Sequence, residues 1–319
     1  MALMSRRVVH IHPTLLCNLA CAHCYSSSSP AEKAGLPYRL VLEATAGLRG
    51  YGYDVASISG GEPTVYRDLE PLCMGLQDQG FGVSIISNGL LPDRVRDVAQ
   101  TIRPDLLSIS FDGLEPRHDA IRLRKGSFAR AMESLQVSVA AGQRTGAVVS
   151  FADEALEDLP ELIDRLVTAG VQHVQFHPLS QVGRAKDGGL QEPSPETMLR
   201  VLVLARVLEA VHEGVSIDCD ALPGVVLAER DLPVAGDVVS PLVLGHDGRV
   251  WPLAYGLPEV HGFGGLGGPL KAPVYSEALA QMVAQTARDC AGRAATAFYP
   301  DLVRHAVALD TRRPAVAAG

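Results

Sequence analysis

Three cysteines crowd one short stretch: Cys17, Cys21 and Cys24, followed at once by Tyr25. The other three, Cys73, Cys219 and Cys290, are scattered. Thiols this closely spaced can face a single metal centre from one loop, and in a reducing compartment they read as metal ligands before disulfides. Three thiolates cannot complete the four-ligand set of an iron–sulfur cube. One iron would stay open to an outside ligand, which marks a reactive cluster. The competing assignment is zinc, with His23 as fourth ligand. Zinc sites usually pair two knuckles, and no second knuckle exists here.

The elements that must position these residues are legible as alternation. Strand candidates are Val8–His12, Val55–Ser59, Gly82–Ile86, Leu106–Ser110, Ala147–Phe151 and His173–His177. Between and after them, helical period runs through Leu40–Leu48, Leu69–Gln79, Asp93–Ile102, Phe128–Ala141, Leu156–Ala169 and Pro195–His212. Such alternation implies βαβ units, a parallel sheet and right-handed crossovers. The fold class expected is α/β, a partial (β/α)6 TIM-like barrel, whose chemistry gathers at the C-terminal ends of its strands. Periodicity alone also admits an open doubly wound sheet. Past Val215 the texture changes: Ala221–Val239 lacks clear period, Ser240–Leu253 reads as a hairpin turning at His246-Asp247-Gly248, and a Gly-rich loop, Gly262–Gly268, precedes a helix around Ser276–Arg288. A boundary therefore falls near residue 215, dividing a barrel of residues 1–215 from a small α+β extension of residues 216–319.

Composition narrows the function classes. The chain has 319 residues, 47% hydrophobic and 20% charged, which describes a folded globular protein rather than a disordered one. A net charge of −8 argues against a nucleic-acid footprint, which needs clustered Lys and Arg. No run approaches the roughly 18 to 20 apolar residues needed to span a bilayer, and the N-terminus does not read as a signal peptide. A cytoplasmic enzyme, bound neither to nucleic acid nor to membrane, is expected.

Motifs stand at the ends of the strand candidates in a fixed order. After the second comes Gly60-Gly61-Glu62-Pro63, and after the third Ser87-Asn88-Gly89. The fourth ends in Ser110, Asp112 and Gly113, followed by His118, Asp119, Arg122 and Gly126-Ser127-Phe128. The sixth leads into Pro178-Leu179 and Gly183-Arg184-Ala185. With CxxxCxxC, this ordered set over roughly residues 8 to 190 resembles the radical S-adenosylmethionine (SAM) superfamily. The resemblance implies one [4Fe–4S] cluster on Cys17, Cys21 and Cys24, SAM at its open iron, and reductive cleavage to a 5′-deoxyadenosyl radical that abstracts hydrogen. It further implies that Gly60, Gly61, Glu62 and Pro63 meet the methionine amino group. Ser87, Asn88, Ser110 and Asp112 would lie near the ribose or methionine part. Arg122 would meet the SAM carboxylate, where its planar fork suits bidentate contact, and Leu179 the adenine, with Gly183 letting the backbone pass it. His23 departs from the aromatic residue common before the third cysteine; its backbone could still reach adenine, and Tyr25 could supply the aromatic face.

The hairpin segment resembles SPASM and Twitch extensions, which bind auxiliary clusters in this superfamily. Here Leu253 stands after Pro252 where that pattern has a cysteine, and Cys219 and Cys290 alone cannot hold a second ordinary cluster. A degenerate extension is expected, and with it redox-neutral outcomes (rearrangement, epimerisation, addition or carbon–carbon bond formation) over dehydrogenation. Cys219 or Cys290 could quench a substrate radical, although a buried structural thiol is the commoner role; Cys73 reads as a buried small hydrophobe. The resemblance points first to a ribosomally made peptide in natural-product maturation, with a flavodoxin- or ferredoxin-type reductant. Only 16 residues precede Cys17, so leader recognition is expected to use the barrel mouth, the tail or a separate leader-peptide-binding protein. The alternatives are an enzyme acting on a sugar, nucleoside or antibiotic precursor, and a non-enzymatic metal- or redox-sensing module. An exposed strand edge would favour a peptide; a closed polar pocket would favour a small molecule.

Overall fold

The computed structural model describes residues 6–33, 35–187, 189–223, 232–254, 257, 262–266 and 272–311, the side chains of 300 and 307–311 excepted. Gly267, Gly268 and residues 224–231 of the aperiodic segment lie outside the described residues. Seven parallel strands follow one another across a single sheet in sequence order: β1 (Arg7–Ile11), β2 (Tyr53–Ile58), β3 (Gly82–Ser87), β4 (Leu106–Phe111), β5 (Thr145–Phe151), β6 (His173–Pro178) and β7 (Ser216–Cys219). The helices between them are α1 (Tyr38–Ala46), α2 (Leu69–Asp78), α3 (Pro92–Thr101), α4 (Glu115–Arg122), α5 (Ser127–Ala140), α6 (Leu159–Thr168) and α7 (Pro195–Val211).

Alternation along each strand separates two faces. Val9, Ile11, Ala56, Ile58, Val83, Ile85, Leu107, Ile109, Ala147, Val149, Val174 and Phe176 are fully buried on the face that packs against the helices. Each such aliphatic side chain contributes about 1.5–3 kcal/mol of burial. The opposite face carries His10, Ser57, Ser108, Ser110, Ser150, Gln175 and His177, and this is the lumen. His10 on β1 feels the charges of His177 on β6 and of Asp220 just past β7, so the far strands of the sheet curl towards each other.

Two elements go beyond the six expected units. β7 extends the parallel run immediately after residue 215; four residues are too few to register as alternation. The predicted hairpin forms as β9 (Leu242–Leu244) and β10 (Val250–Pro252), after a short β8 (Leu222–Pro223), and β9 joins the sheet parallel to β1. The tail thus shares the barrel's own sheet. The tail ends in α8 (Glu277–Ala291), capped by the Ser276 hydroxyl, then β11 (Ala295–Thr296), paired with β8, and α9 (Phe298–Thr311). Among the described residues no helix is long and apolar enough to cross a membrane.

Candidate functional site

The loop after β1 packs the three thiols into one cluster with Leu19 and Leu90. Cys17 and Cys21 are buried, and Cys24 is half-buried. Burial pushes the Cys17 thiol up to about 12 and Cys21 to about 11, so a thiolate is costly here until a cation accompanies it.

Backbone-to-backbone pairing fixes this loop against the Gly60-Gly61-Glu62-Pro63 turn: Gly61 N–H donates to Thr14 O at 2.8 Å and Glu62 N–H to Leu16 O at 2.9 Å. A Cβ on Gly61 would meet Leu16 O at 2.2 Å, which explains the glycine. Glu62, 1% exposed, accepts from Thr64 N–H and Oγ1, from Ser87 Oγ at 2.8 Å and from Asn88 N–H at 2.7 Å. It locks the second strand-end loop to the third. Ser87 is committed to Glu62 and also accepts from Gly89 N–H. Asn88 Nδ2 donates to Asn18 Oδ1 at 2.7 Å and lies 3.7 Å from Cys17 Sγ.

The fourth strand end is built around Asp112, which is buried. Arg122 Nε and His23 Nε2 bond its two carboxylate oxygens, and His118 Nδ1 accepts its backbone N–H at 3.3 Å. Burial alone would raise the Asp112 carboxyl, but Arg122 and His23 outweigh it and hold it well below the usual carboxylate range. Burial lowers His118 to about 4, which keeps it a neutral acceptor. Asp119 caps α5, accepting from Gly126 N–H, Ser127 Oγ and Phe128 N–H. The segment from His118 to Phe128 is therefore one brace that presents Arg122. The guanidinium is near enough to Cys21 and Cys17 to interact with both, and its two terminal nitrogens have no hydrogen-bond partner among the described residues.

A cavity of about 240 Å³ opens beside His23 and Asp112, lined also by Ile121, Ser150, Phe151 and Leu179 among others. His23, Asp112 and Leu179 thus meet in one space. Ser110 lies on the lumen face of β4, its hydroxyl unpartnered among the described residues. Tyr25 lies elsewhere, its hydroxyl 3.3 Å from His12 Nε2 and its ring against that imidazole.

Arg184 is a residue to which sequence reasoning gave no role. Its guanidinium donates to Cys21 O at 2.7 Å, Ser27 O at 2.9 Å and Ser28 O at 2.6 Å, and its N–H to Cys24 O at 2.9 Å. Gly183, at φ +60°, allows this approach, since a Cβ there would sit 2.1 Å from Tyr25 O.

Among the described residues no three His, Cys, Asp or Glu side chains are grouped as the ligands of a single metal ion. His23 Nε2 is taken by Asp112. The profile of the radical SAM superfamily matches residues 11–175, more than half of the chain. The chain belongs to the radical SAM superfamily. Fe-coproporphyrin III synthase of Methanosarcina barkeri (strain Fusaro / DSM 804) is 30% identical to this radical SAM protein over 186 residues, 56% of this chain and 45% of that one. The sporulation killing factor maturation protein SkfB of Bacillus subtilis (strain 168) is 25% identical over 179 residues, 55% of this chain and 43% of that one. The chain spans about half the length, or less, of these curated relatives. Streptococcus suis SuiB bound to S-adenosylmethionine superposes on 84% of this chain and 63% of its own with a TM-score of 0.65 at 14% identity, a shared fold.

The superfamily implies a [4Fe–4S] cluster and SAM, and the residues present fit both. Among the described residues the donor set is three thiols, the terminal nitrogens of Arg122 near them have no hydrogen-bond partner, and Asn18 Nδ2 and His23 Nδ1 are buried without partners.

Proposed function

We propose that this chain is a radical SAM enzyme in which Cys17, Cys21 and Cys24 hold one [4Fe–4S] cluster, and that it abstracts hydrogen from a substrate admitted to the barrel lumen. The observation that carries this is the convergence of three thiols, a free guanidinium fork and a cavity at one end of the parallel strands. When bound, the cluster and SAM supply a 5′-deoxyadenosyl radical. The protein's own residues do the positioning. Arg122, held by Asp112, offers paired donors to a carboxylate. Gly60 and Gly61 bring the backbone close, Asn88 steadies the Cys17 end, and His23, Ser110, Asp112 and Leu179 shape the space for the nucleoside part. Glu62, Ser87 and Pro63 hold that arrangement from behind, and Tyr25 packs against His12 outside it.

A ribosomally made peptide is the first substrate class, supported by the maturation protein SkfB and by the SuiB fold, also solved with precursor peptide SuiA. Two observations bear on how a peptide would bind. At the β7 edge, Ile217 O accepts from Arg206 and Ile217 N–H donates to Glu209 Oε1 at 3.2 Å. At the β10 edge, Val250 exchanges bonds with Phe263 N–H and Gly264 O. Both edges are occupied where strand addition would begin, so a peptide would enter the lumen as a loop or an end. The same closure favours the second reading, a compact small molecule, which Fe-coproporphyrin III synthase also supports.

Cys219 packs against the helix-side core, and Cys290 is buried, donating to Asp301 Oδ2 at 3.2 Å. Neither faces the lumen. Of the redox-neutral outcomes, quenching by these thiols loses its support, and rearrangement, addition and carbon–carbon bond formation stand. Anaerobic reduction in the presence of SAM is expected to yield 5′-deoxyadenosine and methionine, and Cys24→Ala to abolish both with the circular dichroism unchanged. SAM cleavage surviving in Cys24→Ala contradicts the assignment.

A further inference from the structure

The lumen carries polar chemistry that the thiol site does not use. His10 alternates with buried Val9 and Ile11 on β1, and His177 follows buried Phe176 on β6, so both imidazoles stand on the lumen face. His177 Nδ1 pairs with Asp220 Oδ2 at 2.6 Å. Gln175 Nε2 donates to both Asp220 oxygens, at 3.0 and 3.1 Å. The carboxylate is thereby fully engaged and fixes the ring with Nδ1–H as its donor. Nε2 is left without a hydrogen-bond partner among the described residues, on a half-exposed side chain. His10 is close enough to feel both members of the pair, and His12 and His246 continue the row of imidazoles. With Nδ1–H committed to Asp220, a protonated His177 has Nε2–H as its remaining donor. Ser150 neighbours His177 in the β5–β6 register and lines the 240 Å³ cavity. About 4.8 Å, one strand spacing, separates the two positions.

We propose that His177, fixed by Asp220 and Gln175 and faced by His10, receives a carboxylate group of the substrate in the barrel lumen. This rests on the reading of the lumen as the reaction chamber. The protonated ring presents Nε2–H to a carboxylate oxygen as a charge-assisted bond, stronger than a neutral one. Burial alone would lower His177, but the bond to Asp220 and its charge outweigh burial and raise it. Among the described residues, Asp220 and His10 are the charged or titratable groups that face it. Burial keeps His10 neutral. A group raised in this way binds its anion below its own pKa and releases it as pH rises through that value.

The carboxylate can come from an acidic side chain or terminus of a peptide, or from a free small acid. The test uses the full chain, anaerobically reconstituted and labelled with [13Cε1]histidine, the His177 signal being assigned by its loss in His177→Gln. Acetate is expected to move that signal saturably, while chloride at equal ionic strength does not. The affinity should fall about tenfold for each pH unit above the pKa of His177, and about tenfold or more in Asp220→Asn at neutral pH. An N-acetyl, C-amide Ala-Glu-Ala peptide that competes with acetate identifies the peptide source; exclusion of the peptide with retention of acetate identifies a free acid. An acetate response no larger than that of chloride, or one undiminished in Asp220→Asn, overturns the subsite. Iron loading and SAM cleavage are scored separately. Acetate binding without SAM cleavage defeats the proposed enzyme and leaves the subsite, and the converse defeats the subsite alone.

Discussion

At the scale of single residues, the site depends on one buried ion pair. Arg122 and Asp112 are both buried, and removing one partner of such a pair costs about 3–5 kcal/mol because the other charge is left uncompensated. Arg122→Ala is expected to lose that amount at pH 7. The carboxyl of Asp112 is depressed by folding, so its contribution is fully present above the ordinary aspartate value near 4 and fades as pH falls below it. The deficit of Arg122→Ala measured by chemical denaturation should therefore be large at pH 7 and smaller near pH 3.5. An equal deficit at both pH values would show that the guanidinium acts through packing and not charge. The residues singled out by the sequence and brought together by the fold are those packed into short motifs, such as Cys17, Cys21, Cys24, Gly61 and Glu62. The roles of His177 and Arg184 were not legible, for a physical reason: Asp220 lies 43 residues from His177, and Cys21 lies 163 residues from Arg184. Only the fold brings those partners together, and local periodicity carries no trace of them.

At the scale of elements, the cysteine loop is held by a neighbour and not by its own structure. Three bonds from the Arg184 guanidinium reach Cys21, Ser27 and Ser28, its backbone N–H holds Cys24 O, and bonds from a charged donor are worth up to about 1.5–3 kcal/mol each, less where exposed. Arg184→Ala should leave the barrel folded while the loop loosens. After reconstitution, iron loss to a chelator is expected to accelerate tenfold or more, and Arg184→Lys, a point charge without a planar fork, should rescue it only partly. Unchanged iron retention would deny the clamp. The edge of β7 is closed by the ion pair Arg206–Glu209. Replacing both residues by alanine exposes the backbone of Ile217, and concentration-dependent association should appear in light scattering; a monodisperse double variant would show that the edge is protected otherwise. Most elements were foreseeable, since β3 alternates strictly between half-buried and buried positions and α6 has a strongly apolar stripe. The helix α4 was not, because its eight residues are largely polar and only His118 and Arg122 are buried.

At the scale of the whole molecule, sequence and structure agree on a parallel α/β barrel that gathers its motifs at one end. What the sequence did not disclose is that the tail hairpin pairs with β1, because registry between residues 9–11 and 242–244 is a property of the closed fold. The central claim is that Cys17, Cys21 and Cys24 hold a single cluster in this fold. Counting iron, acid-labile sulfide and zinc per chain after anaerobic reconstitution, for the natural chain and its Cys17/Cys21/Cys24 triple alanine variant, tests it most directly. About four irons and four sulfides are expected, falling to none in the variant. Zinc without iron, or irons that survive in the triple variant, would contradict it.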